Sequence, residues 1–381
     1  MPLAQVPSDL ASLEQVQKDL VVALGPSLVA LAIVLGLTPI TIILARRLDF
    51  MAHPRSSRDI HTRAVPYGGG LAMYVAFAVA GLIFLPHQLK LVGVILLGGI
   101  AAVVFALDDR FNLPALPKLL VNVGLALAAV EVFGLHIDFL FLGVVRIHDL
   151  GLLILPVTLL WIIGMQNTVN LLDGVDGLAA GVVGIVAVVL MIAAAGRLGV
   201  SGQREVLILC GILAATCAGF LAFNFHPARI FMGDSGSQFL GTVLALLSIL
   251  GVAKVTVAAA LLVPVLALAI PIADTAWAIV RRRRDGTSVA HADSRHVHHR
   301  LLNFGLTQPE TCVVFYGATG ILGAVGLAVY GHKRILAAAI VFIVVIISTL
   351  LGERLQVWNR RLPIPGGRIL RLVLEGRTAR D

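Results

Sequence analysis

The chain has 381 residues, 59% of them hydrophobic and only 13% charged, with a formal net charge of +8 and a mean hydropathy of +0.97. Soluble domains carry about 25% charged residues, so this chain cannot cover its surface for water, and a soluble enzyme or binding module is excluded. Nucleic acid is not the expected partner of the positive charge. The Lys and Arg residues sit at the ends of apolar runs without interleaved exposed aromatics, as in a membrane protein with basic loops on one face.

In chain order, residues 1–19 are polar and of mixed charge, without the basic start or small-residue cleavage site of a signal peptide. Eleven apolar runs follow, at about 20–45, 68–86, 91–107, 118–135, 150–168, 178–196, 205–223, 237–253, 255–280, 311–331 and 334–351. Most reach the roughly 17–25 residues that cross a bilayer as a helix, so the predicted fold is an all-α polytopic membrane protein. Pro264 and Pro271 interrupt the ninth run, a break tolerated where neighbouring helices or water re-satisfy the backbone. Between the fourth and fifth runs, residues 136–149 alternate loosely and are expected to form a short hairpin. Three domains result: the polar segment 1–19, a membrane catalytic domain over 20–351, and a basic tail over 352–381. The tail would gain about 1 kcal/mol per Lys or Arg from anionic headgroups, or else lie solvated.

With the N-terminus outside and the C-terminus in the cytoplasm, the inner loops and tail hold 21 of the 29 Lys and Arg residues. That bias sets the orientation. Cys210 and Cys217 lie two turns apart on one helix, about 10 Å by helical rise, too far for a disulfide. Cys312 stands alone.

In this topology five polar segments share the cytoplasmic side: 53–70, 107–118, 166–178, 223–238 and 281–303. Asp108 and Asp109 follow an apolar run directly, where carboxylates are costly and mark function, unless they only form a helix-end pair in the headgroup layer. Adjacent helical residues point about 100° apart, so the two would differ in role. One would face the site, the other accept hydrogen bonds from Arg110 or backbone. Asp173 and Asp176, three apart, would share a face if their segment is helical, with Gly174 and Gly177 allowing close approach to a ligand and Asn167 and Asn170 adding amides. A helix cap is the plainer alternative. Asp234, between Gly233 and Ser235-Gly236 at a probable helix start, lies where backbone N–H groups attract an anion. Its carboxylate suits Mg²⁺, or a simple N-cap.

His296, His298 and His299 stand near Arg281 to Arg284, Arg295 and Arg300. A zinc site is the rival reading. No cysteine is near and the arginines repel cations, so a diphosphate fits better; the 281–284 run by itself reads as a stop-transfer anchor. Asp274, near the inner end of the ninth run, is expected to pair with one of those arginines or line the site.

These segments together resemble the polyprenyl-phosphate N-acetylhexosamine-1-phosphate transferase family, of the glycosyltransferase family 4 type, in order from about residue 45 to 305. The resemblance implies transfer of a sugar-1-phosphate from a UDP-sugar to a polyprenyl phosphate with release of UMP. It implies Mg²⁺, with Mn²⁺ as an alternative. Asp108 and Asp109 match the family's aspartate pair, assigned to the lipid phosphate or to base catalysis, and Lys118 a basic residue after it. Asn170, Asp173 and Asp176 match the Asn-Leu-x-Asp-Gly-x-Asp-Gly segment of nucleotide and catalytic contacts. Asn224 and Phe231 fall in the stretch that ends on the metal-ligand aspartate, here Asp234. His296, His298 and His299, followed by Arg300, match the His-x-His-His motif near the diphosphate.

This His-x-His-His form is that of the GlcNAc-type members and favours UDP-GlcNAc or a related UDP-HexNAc. The chain departs from the family at Arg58-Asp59-Ile60-His61, where two basic residues are expected before the histidine, and at 288–293, which lacks a proline. The expected partners are a UDP-sugar, undecaprenyl or another polyprenyl phosphate, the membrane and, in a homodimer, a second copy; the product would start a cell-envelope polysaccharide. Alternatives are phospho-MurNAc-pentapeptide transfer and, from another class, a transporter or lipid flippase. The latter would place polar residues at both faces or at mid-membrane, with an inverted repeat.

Overall fold

A computed structural model describes residues 13–53, 63–138, 140–142, 145–147, 150–195, 198, 202–252, 268–269, 272–274, 297–303 and 305–329. The helices are α1 (Leu13–Arg47), α2 (Gly69–Phe84), α3 (Leu89–Phe111), α4 (Ala115–Glu131), α5 (Ile154–Leu172), α6 (Leu178–Ala194), α7 (Gln203–Asn224), α8 (Gly233–Val252), α9 (Val297–Asn303) and α10 (Gln308–Val329). The protein is an all-α membrane protein. Five stretches are long and apolar enough to cross a bilayer: Val16–Arg47, Leu89–Phe111, Gly151–Leu172, Gln203–Asn224 and Gln308–Ala328. Two shorter apolar helices, α2 and α6, stand beside them. The predicted run 334–351, nearly all of 255–280 with Pro264 and Pro271, and the tail lie outside the described residues.

Helix α8 is the axis of the bundle. Phe239, Leu240, Val243, Leu244, Ala245, Leu246 and Leu247 are fully buried, so its apolar surface faces protein on all sides. It packs chiefly against α3 and α5, and α2 lies alongside. Small residues set these approaches: a Cβ at Gly98 of α3 would press on Val243, and one at Gly241 would meet the backbone of Gln166 on α5. Outer helices show the opposite pattern. On α3, Leu96, Ile100, Val103 and Leu107 are about half exposed, whereas Leu97, Ala101, Phe105 and Asp108 are buried. That spacing is one helical stripe each way, and it turns Asp108 inward.

Two small antiparallel ladders complete the described chain. β1 (Met51–Ala52) pairs with β2 (Val65–Pro66). β3 (Leu140–Leu142) pairs with β4 (Val145–Ile147), which bears out the hairpin expected over 136–149.

Several helices overrun their predicted limits. Helix α1 begins at Leu13, so residues 13–19 belong to it and not to a separate polar segment. Helix α5 continues through Gln166, Asn167 and Asn170 to Leu172, where a polar loop was predicted. The helix tolerates these amides because each finds a partner: Gln166 donates to Thr242 Oγ1 (2.9 Å), Asn167 to Ile163 O (2.8 Å) and Asn170 to Asp234 Oδ1 (2.9 Å).

Candidate active site

The C-termini of α3, α5 and α7 and the N-termini of α2, α4, α6 and α8 meet at one end of the bundle. The start of α8 organises them. Gly233 has φ +70°, and a Cβ there would strike the Asp109 carboxylate, so glycine is required twice over. Asp109 Oδ1 accepts from Asp234 N (2.7 Å) and its Oδ2 from Ser235 N (3.1 Å). The anion predicted for this helix start is thus a carboxylate of the chain itself, carried by α3. It satisfies two N–H groups that α8 cannot and lies favourably in the helix dipole. Asp234 is therefore not the cap, and its side chain is released for other contacts.

Phe231 and Met232 lead into α8. Phe231 N donates to Pro66 O (2.8 Å), while its own carbonyl accepts from Gly69 N (3.1 Å) and that of Met232 from Gly70 N (3.1 Å). A Cβ at Gly70 would fall on the backbone of Gly236. The glycine run 68–70 thus lets α2 lean its open N-terminus on the 231–232 segment.

Above this junction lies an ionic cluster. Lys118 of α4 places Nζ 2.5 Å from Asp108 Oδ2 and 3.0 Å from Asp234 Oδ2. The other Asp108 oxygen accepts from Leu113 N (2.7 Å). Asn170 Nδ2 donates to Asp234 Oδ1 (2.9 Å) and to Ser237 Oγ (3.0 Å). Asp108 is 2% exposed and Asp234 33%, so the first is covered and the second reaches the solvent side. Asp108, Asp109 and Asp234 line a cleft of about 320 Å³ together with Asp49, Phe50, Met51, Ala52, His53 and Tyr67. The adjacent aspartates do take different roles, as their helical spacing requires. Arg110, expected beside one of them, donates instead to Asp49 O (2.7 Å).

Asp173 and Asp176 separate as well. Helix α5 stops at Leu172, so they share no helix face: the segment 173–177 is a turn whose Gly177 has φ +83°. Asp173 is half-buried. Burial, then the negative charges of Asp234, Asp109 and Asp176, holds its carboxyl well above the ordinary carboxylate range.

Asp176 Oδ2 accepts from His226 Nδ1 and from Ala228 N, both at 3.0 Å; a carboxylate only accepts, which puts the imidazole proton on Nδ1. Asn224 is buried and ties the same turns together, with Oδ1 accepting from Gly177 N (3.1 Å) and Nδ2 donating to Ile230 O (2.9 Å). Helix α10 closes this knot from outside. Gln308 accepts from Asp176 N (3.2 Å), Cys312 Sγ lies 3.3 Å from Asp176 O, and Tyr316 donates to Gly177 O (2.6 Å). Cys210, Cys217 and Cys312 are free and buried.

His298, His299 and Arg300 lie on α9, which packs on α10; their side chains, and His296 as a whole, fall outside the described residues. So do the 54–62 segment and Arg281 to Arg284. Asp274 accepts from Val297 N (3.1 Å) at the first turn of α9. Sequence reasoning named no site residue in the 49–53 stretch or at Tyr67, although the polar segment 53–70 holds His53 and Tyr67, and none at His226 and Tyr316, which gain meaning only through the contacts of Asp176 and Gly177.

The chain is 35% identical over 330 residues to a probable undecaprenyl-phosphate N-acetylglucosaminyl 1-phosphate transferase of Bacillus subtilis, covering 86% of this chain and 90% of that one. The sequence profile of glycosyl transferase family 4 matches residues 91–252. The chain belongs to this family. It is also similar to a decaprenyl-phosphate N-acetylglucosaminephosphotransferase of Mycobacterium tuberculosis, at 34% identity over 316 residues, 74% of this chain and 76% of that one. A phospho-N-acetylmuramoyl-pentapeptide-transferase of Clostridioides difficile is 30% identical over 248 residues, or 59% of this chain and 73% of that one. Within this glycosyl transferase family 4 chain, the profile match spans Asp108, Lys118, Asn170 and Asp234 of the ionic cluster and Asp109, which caps α8.

Proposed function

We propose that the chain transfers N-acetylglucosamine-1-phosphate from UDP-GlcNAc to a polyprenyl phosphate, releasing UMP, at the cytoplasmic face of a plasma membrane. The carrying observation is the convergence of Asp108, Lys118, Asn170 and Asp234 beside a polar cleft at one end of an apolar bundle. A lipid acceptor held in the bilayer and a water-soluble donor can meet there. The GlcNAc relatives match over more of this chain than the pentapeptide transferase does, 86% and 74% against 59%, which supports the sugar. The apolar runs support eleven crossings, and the basic-residue bias supports an N-terminus outside and a C-terminus in the cytoplasm.

The donor set fits Mg²⁺. Asp108 and Asp234 each aim an oxygen at one positive charge, the Lys118 ammonium, and Mg²⁺ is usually held by one or two carboxylates together with substrate phosphates. Among the described residues no three His, Cys, Asp or Glu side chains form a metal cage, so substrate phosphates and water would have to supply the remaining ligands. Asp234, the more exposed of the two, would hold it. When bound, the ion offsets the repulsion between the two phosphate groups.

The rest of the chemistry falls to side chains. Asp109 accepts two α8 backbone N–H groups, whereas Asp108 lines the cleft on a Lys118 ammonium that a substrate phosphate could draw away, so Asp108 is assigned the proton of the acceptor phosphate. An acceptor oxygen then bonds to the sugar-linked phosphorus, and UMP leaves with the electron pair of the broken P–O bond. Lys118 stabilises the charge that develops. His296, His298, His299 and Arg300, as the family resemblance implies, support the diphosphate.

The test is purified protein with Mg²⁺, polyprenyl phosphate and a panel of UDP-sugars, with UMP release measured. UDP-GlcNAc should give the highest rate, and release should require the lipid. Release from another UDP-sugar alone would replace the sugar assignment, and no release from any would overturn the activity.

A further inference from the structure

The six carboxylate oxygens of Asp108, Asp109 and Asp234 all have donors. Asp109 accepts Asp234 N and Ser235 N, Asp108 Oδ1 accepts Leu113 N, and Asp234 Oδ1 accepts Asn170 Nδ2. The last two oxygens, Asp108 Oδ2 and Asp234 Oδ2, share one partner, the Lys118 ammonium at 2.5 and 3.0 Å. Three of these donors are backbone N–H groups, fixed where the chain puts them. Asn170 is an uncharged amide tied also to Ser237 Oγ. Lys118 alone is a charge on a flexible four-carbon stem, and its side chain is 31% exposed.

Asp108 and Asp234 both line the cleft, and their shared oxygens are those that fit Mg²⁺, which one or two carboxylates hold. An ammonium and a divalent ion on the same oxygens would be like charges at contact distance, where repulsion is strong and little screened. The pair therefore has room for one of them at a time. Removing the ammonium with nothing in its place is also unfavourable, because Asp108 is 2% exposed and a buried carboxylate without a partner is costly.

We propose that Lys118 is an exchangeable internal cation: a divalent ion enters the Asp234 site only as the ammonium leaves the two carboxylates. The displaced ammonium stays on α4 beside the cleft, free to pair with the acceptor phosphate. Lys118 thus serves the site twice, as counter-ion to the carboxylates before the metal binds and as phosphate partner afterwards. The inference rests on the transferase reading and its Mg²⁺, and adds how the charges exchange.

The probe is Mn²⁺ alone, added to the full chain in detergent without substrates, with free Mn²⁺ read by electron paramagnetic resonance. Binding that Asp234→Asn abolishes defines the site. Lys118→Met should bind Mn²⁺ about tenfold or more tightly than the parent, the scale of one hydrogen bond to a charged group that no longer has to break. Arg110→Met is the control for charge alone, because Arg110 lines the same cleft but donates to Asp49 O. It should change the affinity about twofold or less, as a screened charge does. In the parent, saturating Mn²⁺ should raise acetylation of Lys118 by acetic anhydride roughly fivefold, the protection that a partly exposed ion pair gives. Lys90, exposed at the start of α3, is the internal standard.

Unchanged or weaker binding in Lys118→Met would overturn the exchange, as would equal gains in the lysine and arginine variants or no rise in acetylation. Should Lys118→Met fail to fold, the acetylation of the parent decides. If no Mn²⁺ binding depends on Asp234, the metal assignment falls and the exchange with it, while UMP release still tests the transfer separately.

Discussion

Two short glycine-flanked acidic turns lie at the same end of the bundle, and they differ in everything but composition. Gly233-Asp234-Ser235-Gly236 opens α8, and Gly174-Val175-Asp176-Gly177 precedes α6. Asp234 has its helix-capping work done by Asp109 of α3, so its carboxylate turns to Lys118 and Asn170 and to the cleft. Asp176 has no such substitute. Its carboxylate holds His226 and Ala228 N, and its turn is clamped by Asn224, Gln308 and Tyr316. A carboxylate becomes available for chemistry here when another residue satisfies the backbone around it.

That contrast is open to a direct attack. Asp234→Asn should cut UMP release by at least about 100-fold, the scale of losing one electrostatic contact to a developing charge. Asp176→Asn should lower the unfolding temperature yet leave turnover per folded molecule within about tenfold. Equal losses of turnover in the two variants would erase the distinction.

Lys118→Met leaves Asp108, 2% exposed, without its counter-ion. Because the lysine is itself a third exposed, the expected loss of stability is about 2 kcal/mol, below the range for a fully buried pair; denaturant midpoints in detergent measure it. Gly233→Ala should cost about 1–2 kcal/mol from the left-handed backbone alone, and its added Cβ would displace the Asp109 cap. Normal stability and activity in that variant would remove Asp109 from the account.

The smallest effect is in pH. The Asp173 carboxyl is held well above its ordinary value in the folded protein. Between that ordinary value and the raised one, the folded state holds more protons than the unfolded state, so stability falls as pH rises. Asp173→Asn should flatten the decline over that window, read as unfolding temperature against pH, and an unchanged profile would show that another group sets it.

Much of this was legible beforehand. Apolar run length foretold nearly every described helix, because a bilayer demands a fixed length of apolar chain. Residue pattern also singled out Asp108, Asp109, Asn170 and Asp234, since charges and amides beside apolar runs are expensive, and the family resemblance added Lys118. Helix ends were less legible. Asp108, Asp109 and Asn170 continue helices that hydropathy alone would stop, because their partners lie on other helices.

By itself the sequence determined a multi-span helical protein whose acids and amides gather in a few polar segments. Hydropathy and helical period are local properties, readable one window at a time. Only the tertiary structure decided that Asp109 caps α8, that Lys118 joins Asp108 to Asp234, and that Asp176 binds loops together. Apart from Lys118 and Asp108, ten positions apart, those pairings link residues 116 to 126 positions apart in the first cluster and about 50 in the second, distances over which no local pattern specifies which donor meets which acceptor.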